Sequence, residues 1–188
     1  LMRSSAASDV YKRQAKAAGW TDIKCIEIAG VQGDSTNTAR MDGYREGITE
    51  AGGEFLDNET QYANATADLA VTAMEGIMSK YPDGVAIICS NNDDMALAAA
   101  RTAKENPAYA KTIFLGFDGQ KSACEAVAAG ELTMTAAQNN FDIGYKAVET
   151  MVKILNGEQY DKVVDTGTEI ITKDTAEARL AKFDVWMK

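Results

Sequence analysis

The sequence predicts a three-layer α/β fold in which helices cover both faces of a parallel sheet. Strand-like and helix-like patterns alternate along most of the chain, the order typical of repeated β-α units. The central strand candidates are short, continuously apolar runs, as expected for parallel strands that are buried on both faces. Glycine or proline follows each of the clearer helix patterns and marks where that helix ends.

The first half of the chain contains two strand candidates and two helix candidates. Residues 23–29 form an isoleucine-rich strand pattern, and residues 38–51 are predicted to be a helix because Gly52-Gly53 stops it. Residues 54–61 are a weaker strand candidate. Residues 67–80 repeat apolar side chains every three to four positions, the period of a helix that is buried along one face.

The second half repeats the order of a strand followed by a helix. Apolar runs predict strands that each precede a helix pattern: residues 85–89 before 96–104, 112–115 before 122–129, and 132–137 before 143–155. The chain ends with a β-like segment over residues 162–172 and a short helix over residues 175–182. No internal repeat or low-complexity segment interrupts this order.

Composition excludes several classes of function. The 19 lysine and arginine residues are outnumbered by 28 aspartate and glutamate residues, and the net charge of −9 argues against binding to nucleic acid or to an anionic membrane surface. Histidine is absent, which removes Ser-His-Asp and Cys-His catalysis and imidazole-based zinc sites. Cys25, Cys89 and Cys124 lie far apart in sequence and form no metal-binding or disulfide pattern. We therefore expect no catalytic residue, no metal and no cofactor.

Residues 1–14 do not fit the pattern of the rest. They have no apolar core like that of a signal peptide and no helix or strand periodicity. The segment is similar to the translation of a sequencing adapter, so we expect it to be foreign and the genuine protein to begin near Ala15. On this interpretation the start of the gene and part of a domain are missing from the chain.

Polar side chains are concentrated where the predicted strands end, which is where open parallel sheets bind ligands. Four such segments follow four strand candidates: residues 33–40, 90–94, 116–119 and 138–140. They supply arginine, asparagine, aspartate and glutamine, whose planar groups form paired hydrogen bonds with adjacent hydroxyls of a small polar ligand. The coincidence of all four predicts a binding pocket.

A purely structural role is the alternative for each of these residues taken alone. Asp93 and Asp94 stand where an ordinary N-cap of a helix would stand, and Asp118 lies in a Gly-Phe-Asp-Gly turn. Arg40 is harder to explain in this way, because a cation near the positive N-terminal end of a helix is unfavourable without a partner.

The pocket motifs resemble those of the type I periplasmic sugar-binding proteins, the solute receptors of ABC importers. The matching segments are GDSTNTARMDGY, SNNDDMAL, GFDG and AAQNN, which occur in the family's order between residues 23 and 172. The resemblance implies that Arg40, Asn92, Asp118 and Gln138 contact sugar hydroxyls, and more weakly that Asp34 does.

The family has two similar lobes that close on the ligand like a hinged trap. By resemblance, residues 15–138 correspond to the C-terminal lobe, residues 139–162 return to the N-terminal lobe, and residues 163–188 form the last strand and the tail. Most of the N-terminal lobe has no counterpart here, so residues 141–155 should expose an apolar stripe. At Ala65, where family members commonly stack an aromatic ring on the sugar, this chain has no aromatic, so the sugar is not identified.

The resemblance also implies a function and a location. The chain would bind a monosaccharide and deliver it to a membrane permease, in the periplasm or anchored outside the cytoplasmic membrane, and would touch the membrane only through the transporter. It would have no enzymatic activity and no cofactor. The alternative is the effector-binding domain of a LacI-type transcriptional repressor, since these repressors share the fold and the motifs.

The missing lobe bears on affinity. A complete family member that binds sugar at about 1 µM has roughly −8 kcal/mol of binding free energy. About half of the hydrogen bonds, each worth about 1.5–3 kcal/mol when one partner is charged, would come from the other lobe. We therefore expect this chain alone to bind sugar in the millimolar range or more weakly.

Overall fold

A computed structural model describes residues 14–186, in which seven strands form one sheet. The strands are β1 Lys24–Ala29, β2 Glu54–Phe55, β3 Gln61–Tyr62, β4 Ile87–Ser90, β5 Ile113–Asp118, β6 Met134–Gln138 and β7 Thr168–Ile171. The helices that follow residue 20 are α1 Ser35–Glu50, α2 Ala67–Lys80, α3 Asp93–Ala103, α4 Lys121–Ala129, α5 Asn140–Leu155 and α6 Lys173–Trp186. Residues 14–17 are helical as well, whereas residues 1–13 of the adapter-like segment lie outside the described part.

The predicted parallel sheet is confirmed for six of these seven strands. The order across the sheet is β2-β1-β4-β5-β6-β7, and β3 also pairs with β1. β7 runs antiparallel to β6, with Thr168 opposite Gln138. The chain leaves β6 at Gln138 and re-enters the sheet opposite that residue, at Thr168, so β7 runs back along β6.

Helices cover both faces of the sheet, as the sequence predicts. One apolar core lies between the sheet and α1 together with residues 14–17, and it includes Tyr44, Ile48 and Leu115. The other lies between the sheet and α2, α3, α4 and α6, and it includes Met74 and Met95. Strand side chains alternate between these two cores, which explains why the central strands are apolar throughout.

The main differences from the predicted elements are at helix starts. α1, α3 and α5 each begin three residues earlier than predicted. The Asp34 carboxylate and the Asn92 side chain accept hydrogen bonds from backbone N–H groups of the first turns of α1 and α3. Those first turns are polar, so they do not show the apolar period that marks the rest of each helix.

The two weaker strand patterns are shorter in the structure than in the prediction. Residues 54–61 contain only β2 and the first residue of β3, separated by the 3₁₀ turn Asp57–Glu59. Of residues 162–172, only Thr168–Ile171 is a strand. The last helix is longer than predicted, because α6 continues to Trp186.

α5 differs from the other helices because none of its residues is buried. Six of its apolar or aromatic side chains are at least half exposed: Phe141, Tyr145, Val148, Met151, Val152 and Leu155. The apolar stripe that the sequence predicts is therefore present. No helix in the described part of the chain is both long enough and apolar enough to cross a membrane.

The turn after β5 is tightly packed, and two glycines make it possible. A Cβ atom on Gly116 would overlap the Asp93 carboxylate, and one on Gly119 would overlap Ala137. Between them, Asp118 has a φ of +113°, a backbone conformation that is strained for a residue with a side chain. The Gly-Phe-Asp-Gly motif is thus a packing requirement that places Asp118 at the edge of the sheet.

The Asp93 carboxylate connects the start of α3 to this turn. Asp93 is fully buried; it accepts hydrogen bonds from Thr135 Oγ1 at 2.6 Å and from the backbone N–H of Gln120 at 2.8 Å. Asn92 is the residue that caps α3, so Asp93 is not the N-cap that its position suggested. Burial raises the pKa of Asp93 from 3.8 to about 7, against the lowering effect of its hydrogen bonds.

We expect the free energy of unfolding to fall as the pH rises from about 4 to about 7. The folded state holds the Asp93 proton more tightly than the unfolded chain, so this stabilisation is complete below the unfolded pKa and is lost as the pH passes the folded pKa. Between pH 5 and pH 7.5 the loss due to Asp93 should be about 2 kcal/mol, measured by urea unfolding as the difference between the wild-type chain and Asp93→Asn. Asp93→Asn should make the profile shallower by this amount, whereas the exposed neighbour variant Asp94→Asn should not. Equal slopes in the two variants would contradict this assignment.

The strain at Asp118 gives a second expectation. Asp118→Gly removes the side chain and relieves the positive φ, whereas Asp118→Ala removes the carboxylate and keeps the strain. The glycine variant should be more stable than the alanine variant by about 1 kcal/mol, after allowing for the greater freedom of glycine in the unfolded chain. Thermal unfolding of the two variants measures the difference, and an alanine variant of equal or higher stability would rule out the strain.

Candidate functional site

The candidate site lies at the point in the sheet where the chain stops adding strands on one side and starts adding them on the other. The chain passes from β1 to β2 on one side and from β4 to β5 on the other, although β1 and β4 are neighbours. Such a switch point leaves a crevice at the carboxyl ends of the strands. Arg40 comes from the helix after β1, Asn92 follows β4, and Asp118 and Gln138 end β5 and β6.

Three of the five predicted residues form one hydrogen-bonded cluster. Arg40 Nη2 donates to Asp118 Oδ1 at 3.1 Å, and Gln138 Nε2 donates to the same oxygen at 2.6 Å. The side chains of Arg40 and Asp118 are 17% and 22% exposed, so the ion pair is largely shielded yet still reachable. Arg40 therefore has the partner that its position near the start of a helix requires.

Asn92 directly follows Asn91, whose main-chain carbonyl accepts a hydrogen bond from Arg40, and the Asn92 side chain is held from two sides. Its Oδ1 accepts from the backbone N–H of Met95, and its Nδ2 donates to the carbonyl of Ala65 at 3.1 Å. Asn64 and Ala65, in the loop that carries this carbonyl, both have positive φ. One N–H of the Asn92 amide remains available for a ligand.

Asp34 is the predicted residue that the structure does not bring to the cluster. It is exposed, and its Oδ1 accepts from the backbone N–H of Asn37 at 2.8 Å as the N-cap of α1. Within residues 14–186 it has no hydrogen bond or ion pair to the other four predicted residues.

The cluster is close to electrically neutral and keeps unused hydrogen-bonding capacity. Burial raises the pKa of Asp118, while the Arg40 charge and the Gln138 hydrogen bond lower it. Both hydrogen bonds to this carboxylate within the described part reach Oδ1, so Oδ2 can still accept. Gln138 Oε1 can also accept, and Arg40 has further N–H donors. Nowhere in residues 14–186 do three acidic or cysteine side chains gather to hold a metal ion.

Three residues of the site were missed by sequence reasoning. The main-chain carbonyl of Asn91 accepts from Arg40 Nη1 at 2.7 Å, and the Phe117 ring lies 4.1 Å below the Arg40 guanidinium. Arg179, which is buried in α6, donates to the main-chain carbonyl of Gln138 at 2.7 Å. Phe117 could have been found because it lies inside the GFDG motif. The Asn91 carbonyl and the distant Arg179 could not have been found, because neither contact has a recognisable pattern in the sequence.

A cleft with a volume of about 660 Å³ opens beside the cluster. Its walls include Arg40, Phe117 and Gln138 from the site, Ile143 from α5, and residues 165–168. Asp118 and Asn92 do not line it, so the cleft reaches the site from the α1 side. Its volume is in the range of pockets for small molecules.

The sequence matches a family model described as "Periplasmic binding protein domain" over residues 6–159. The chain is 31% identical to the ribose import binding protein of Escherichia coli over 159 residues, which is 85% of this chain and 52% of that protein. A shorter match, 36% identical over 74 residues, joins it to the HTH-type transcriptional regulator CelR of Thermobifida fusca and covers 39% of this chain and 22% of the regulator. The chain thus spans about half the length of the ribose-binding relative.

The fold is also shared with solved structures. A periplasmic solute-binding protein of an ABC transporter from Actinobacillus succinogenes, solved with bound D-allose, superposes with a TM-score of 0.80 at 22% identity, over 89% of this chain and 59% of that one. This likeness concerns the fold alone. Because the family model matches most of the sequence, and the ribose-binding relative matches over most of it too, the chain belongs to the type I periplasmic sugar-binding proteins.

Proposed function

We propose that this chain is part of the substrate-binding component of an ABC importer and binds a monosaccharide at Arg40, Asp118 and Gln138, with Asn92 beside them. The observation that supports this most is the charge-balanced Arg40–Asp118–Gln138 cluster at the switch point of the sheet. Asp34 stays outside the proposed contacts, because its carboxylate caps α1.

The chemistry of the cluster fits a neutral polyhydroxylated ligand. A sugar hydroxyl both donates and accepts, and two adjacent hydroxyls can use the donors of Arg40 together with the free acceptors of Asp118 and Gln138. An anion would have to compete with Asp118 for Arg40, and a cation would have to compete with Arg40 for Asp118. A hydroxyl group can bind while the ion pair between Arg40 and Asp118 stays intact.

In the proposed mechanism the ligand bridges two lobes. A second lobe closes over the sugar about a hinge, and the bound sugar shifts the population towards the closed form. A membrane permease then recognises the closed form outside the cytoplasmic membrane. This mechanism includes no catalytic step.

The effector-binding domain of a LacI-type repressor is the second candidate, and the short match to a transcriptional regulator favours it. The two candidates differ in what the gene encodes upstream of Ala15. A signal peptide or lipoprotein cysteine supports the receptor, whereas a helix-turn-helix supports the repressor. Sequencing the genomic region upstream decides between them.

We expect the 188-residue chain to bind a monosaccharide with a dissociation constant in the millimolar range or weaker. The test is a ¹H–¹⁵N NMR titration with D-ribose, D-allose, D-galactose and D-glucose, with glycine betaine as a zwitterionic control solute that has no hydroxyl group. Shifts should concentrate at the four proposed residues and their neighbours. Micromolar binding in calorimetry would contradict the affinity estimate, and no shift with any sugar at high millimolar concentration would contradict the proposed function.

Arg40→Lys should abolish the measurable titration. Lysine keeps the charge but loses the planar fork that holds Asp118 and the ligand together, and a loss of about tenfold or more places a millimolar affinity beyond detection. Arg45→Lys is the matched control, since Arg45 lies on the same helix and pairs with Asp42 and Asp57 at the surface. A titration that is equally affected in both variants would show a general effect on α1.

A further inference from the structure

A buried acid lies behind the candidate site and takes no part in the contacts described so far. Glu27 is near the carboxyl end of β1, on the face that α1 covers, and none of its surface is exposed. Its Oε1 accepts a hydrogen bond from Asn91 Nδ2 at 2.5 Å. Its Oε2 has no hydrogen-bond partner in the described part of the chain. Burying a polar oxygen without a hydrogen-bond partner costs free energy of folding. The presence of Glu27 at this position therefore requires an explanation, and its one hydrogen bond, to Asn91, is where we look for it.

That bond leads directly to the site. Asn91 is almost fully buried and uses its two ends differently: its side-chain amide donates to Glu27, and its main-chain carbonyl accepts from Arg40 Nη1 at 2.7 Å. Arg40 Nη2 then reaches Asp118. A series of hydrogen bonds through Asn91 therefore runs from the interior of β1 to Arg40, which lines the cleft, and on to Asp118.

We propose that Glu27 is a positioning residue for sugar binding: by holding the Asn91 side chain, it fixes the Asn91 carbonyl that orients the Arg40 guanidinium. The proposal rests on the proposed function, because it assigns Glu27 a part in the same site. Arg40 has four flexible torsions and only a few fixed partners, so an anchored carbonyl removes much of its freedom before the ligand arrives.

The state of the Glu27 carboxyl group identifies the replacement that should preserve this role. Burial raises the pKa of Glu27 to about 8, and the Asn91 hydrogen bond only partly opposes this. Near neutral pH the group is therefore mostly an uncharged acid that accepts from Asn91. Glutamine has the same length and an uncharged carbonyl acceptor, so Glu27→Gln can replace it, whereas Glu27→Met fills the space without an acceptor.

The experiment compares these two variants in the 188-residue chain with Thr112→Val as a control. Thr112 is buried and donates to the carbonyl of Val85 at 2.7 Å near the amino ends of β4 and β5, so its loss removes one internal hydrogen bond at the end of the strands opposite the site. Three quantities are measured: the Arg40 side-chain signals in ¹H–¹⁵N spectra, assigned with Arg40→Lys; the dissociation constant for whichever of D-ribose, D-allose, D-galactose and D-glucose binds best; and stability in urea.

We expect Glu27→Gln to keep the wild-type Arg40 signals and an affinity within about twofold. Glu27→Met should shift or broaden the Arg40 signals and weaken binding about tenfold, the effect of one unpaired buried donor. Thr112→Val should lower stability and leave both site readouts unchanged. The proposal would be overturned if Glu27→Met had the same Arg40 signals and the same affinity as Thr112→Val. It would also be overturned if Glu27→Gln failed to keep the wild-type Arg40 signals and affinity.

Asn91→Ala provides an independent test if Glu27→Met does not fold. It removes the side chain that Glu27 holds and keeps the carbonyl that Arg40 uses, so it should weaken the Arg40 anchor in the same way. Unchanged Arg40 signals in Asn91→Ala would overturn the proposal. If the wild-type chain binds none of the four sugars, the proposed function fails, while the Arg40 signals still decide whether Glu27 orients Arg40.

Discussion

The Arg40 guanidinium connects three segments that are distant in sequence. It extends from α1, donates to the carbonyl that follows β4 and to the carboxylate that ends β5, and stacks on the Phe117 ring. These interactions lie mostly out of water, where hydrogen bonds between charged groups are stronger than at an open surface. Without this side chain, Asp118 would be a half-buried anion with no cation beside it, and the Asn91 carbonyl would lose the guanidinium that donates to it.

A layer of buried polar groups supports this edge of the sheet from below. Asp93 holds the turn after β5 through Thr135 and the Gln120 N–H, and Glu27 holds the corner after β4 through Asn91. Burial raises the pKa of both acids, which means that the fold keeps them at a cost in stability near neutral pH. An apolar core would avoid this cost but could not fix the direction of a carbonyl or an amide.

The order of elements, the two covered faces and the edge of the sheet at which Arg40, Asp118 and Gln138 meet could be predicted, because each depends on local patterns. Apolar runs mark buried strands, and clusters of polar residues mark strand ends. The direction of β7 could not be predicted, since a strand pattern is the same in either direction and only the return at Gln138 fixes it. The predicted starts of α1, α3 and α5 were three residues too late, because polar first turns such as that of α1 do not show the apolar repeat by which a helix is recognised.

Glu27 shows why the supporting layer was missed. In an isoleucine-rich strand with alternating polarity, a glutamate is typical of a face exposed to solvent. Here α1 covers that face, and the glutamate becomes one of the most buried groups in the protein. Its role depends on Asn91, 64 residues away, and a hydrogen bond at that separation has no signature in a single sequence.

The same arrangement explains how a site can be ordered before it binds and still accept a ligand. Arg40, Asp118 and Gln138 already satisfy one another, yet each retains a donor or acceptor that none of the described residues uses. A neutral hydroxyl can add to this set without breaking the ion pair, so the cost of ordering the side chains is met by folding rather than by binding. A charged ligand would have to separate Arg40 from Asp118 and leave one of them buried without its counter-ion. Preorganisation of this kind supports the proposal of an uncharged, hydroxyl-rich ligand.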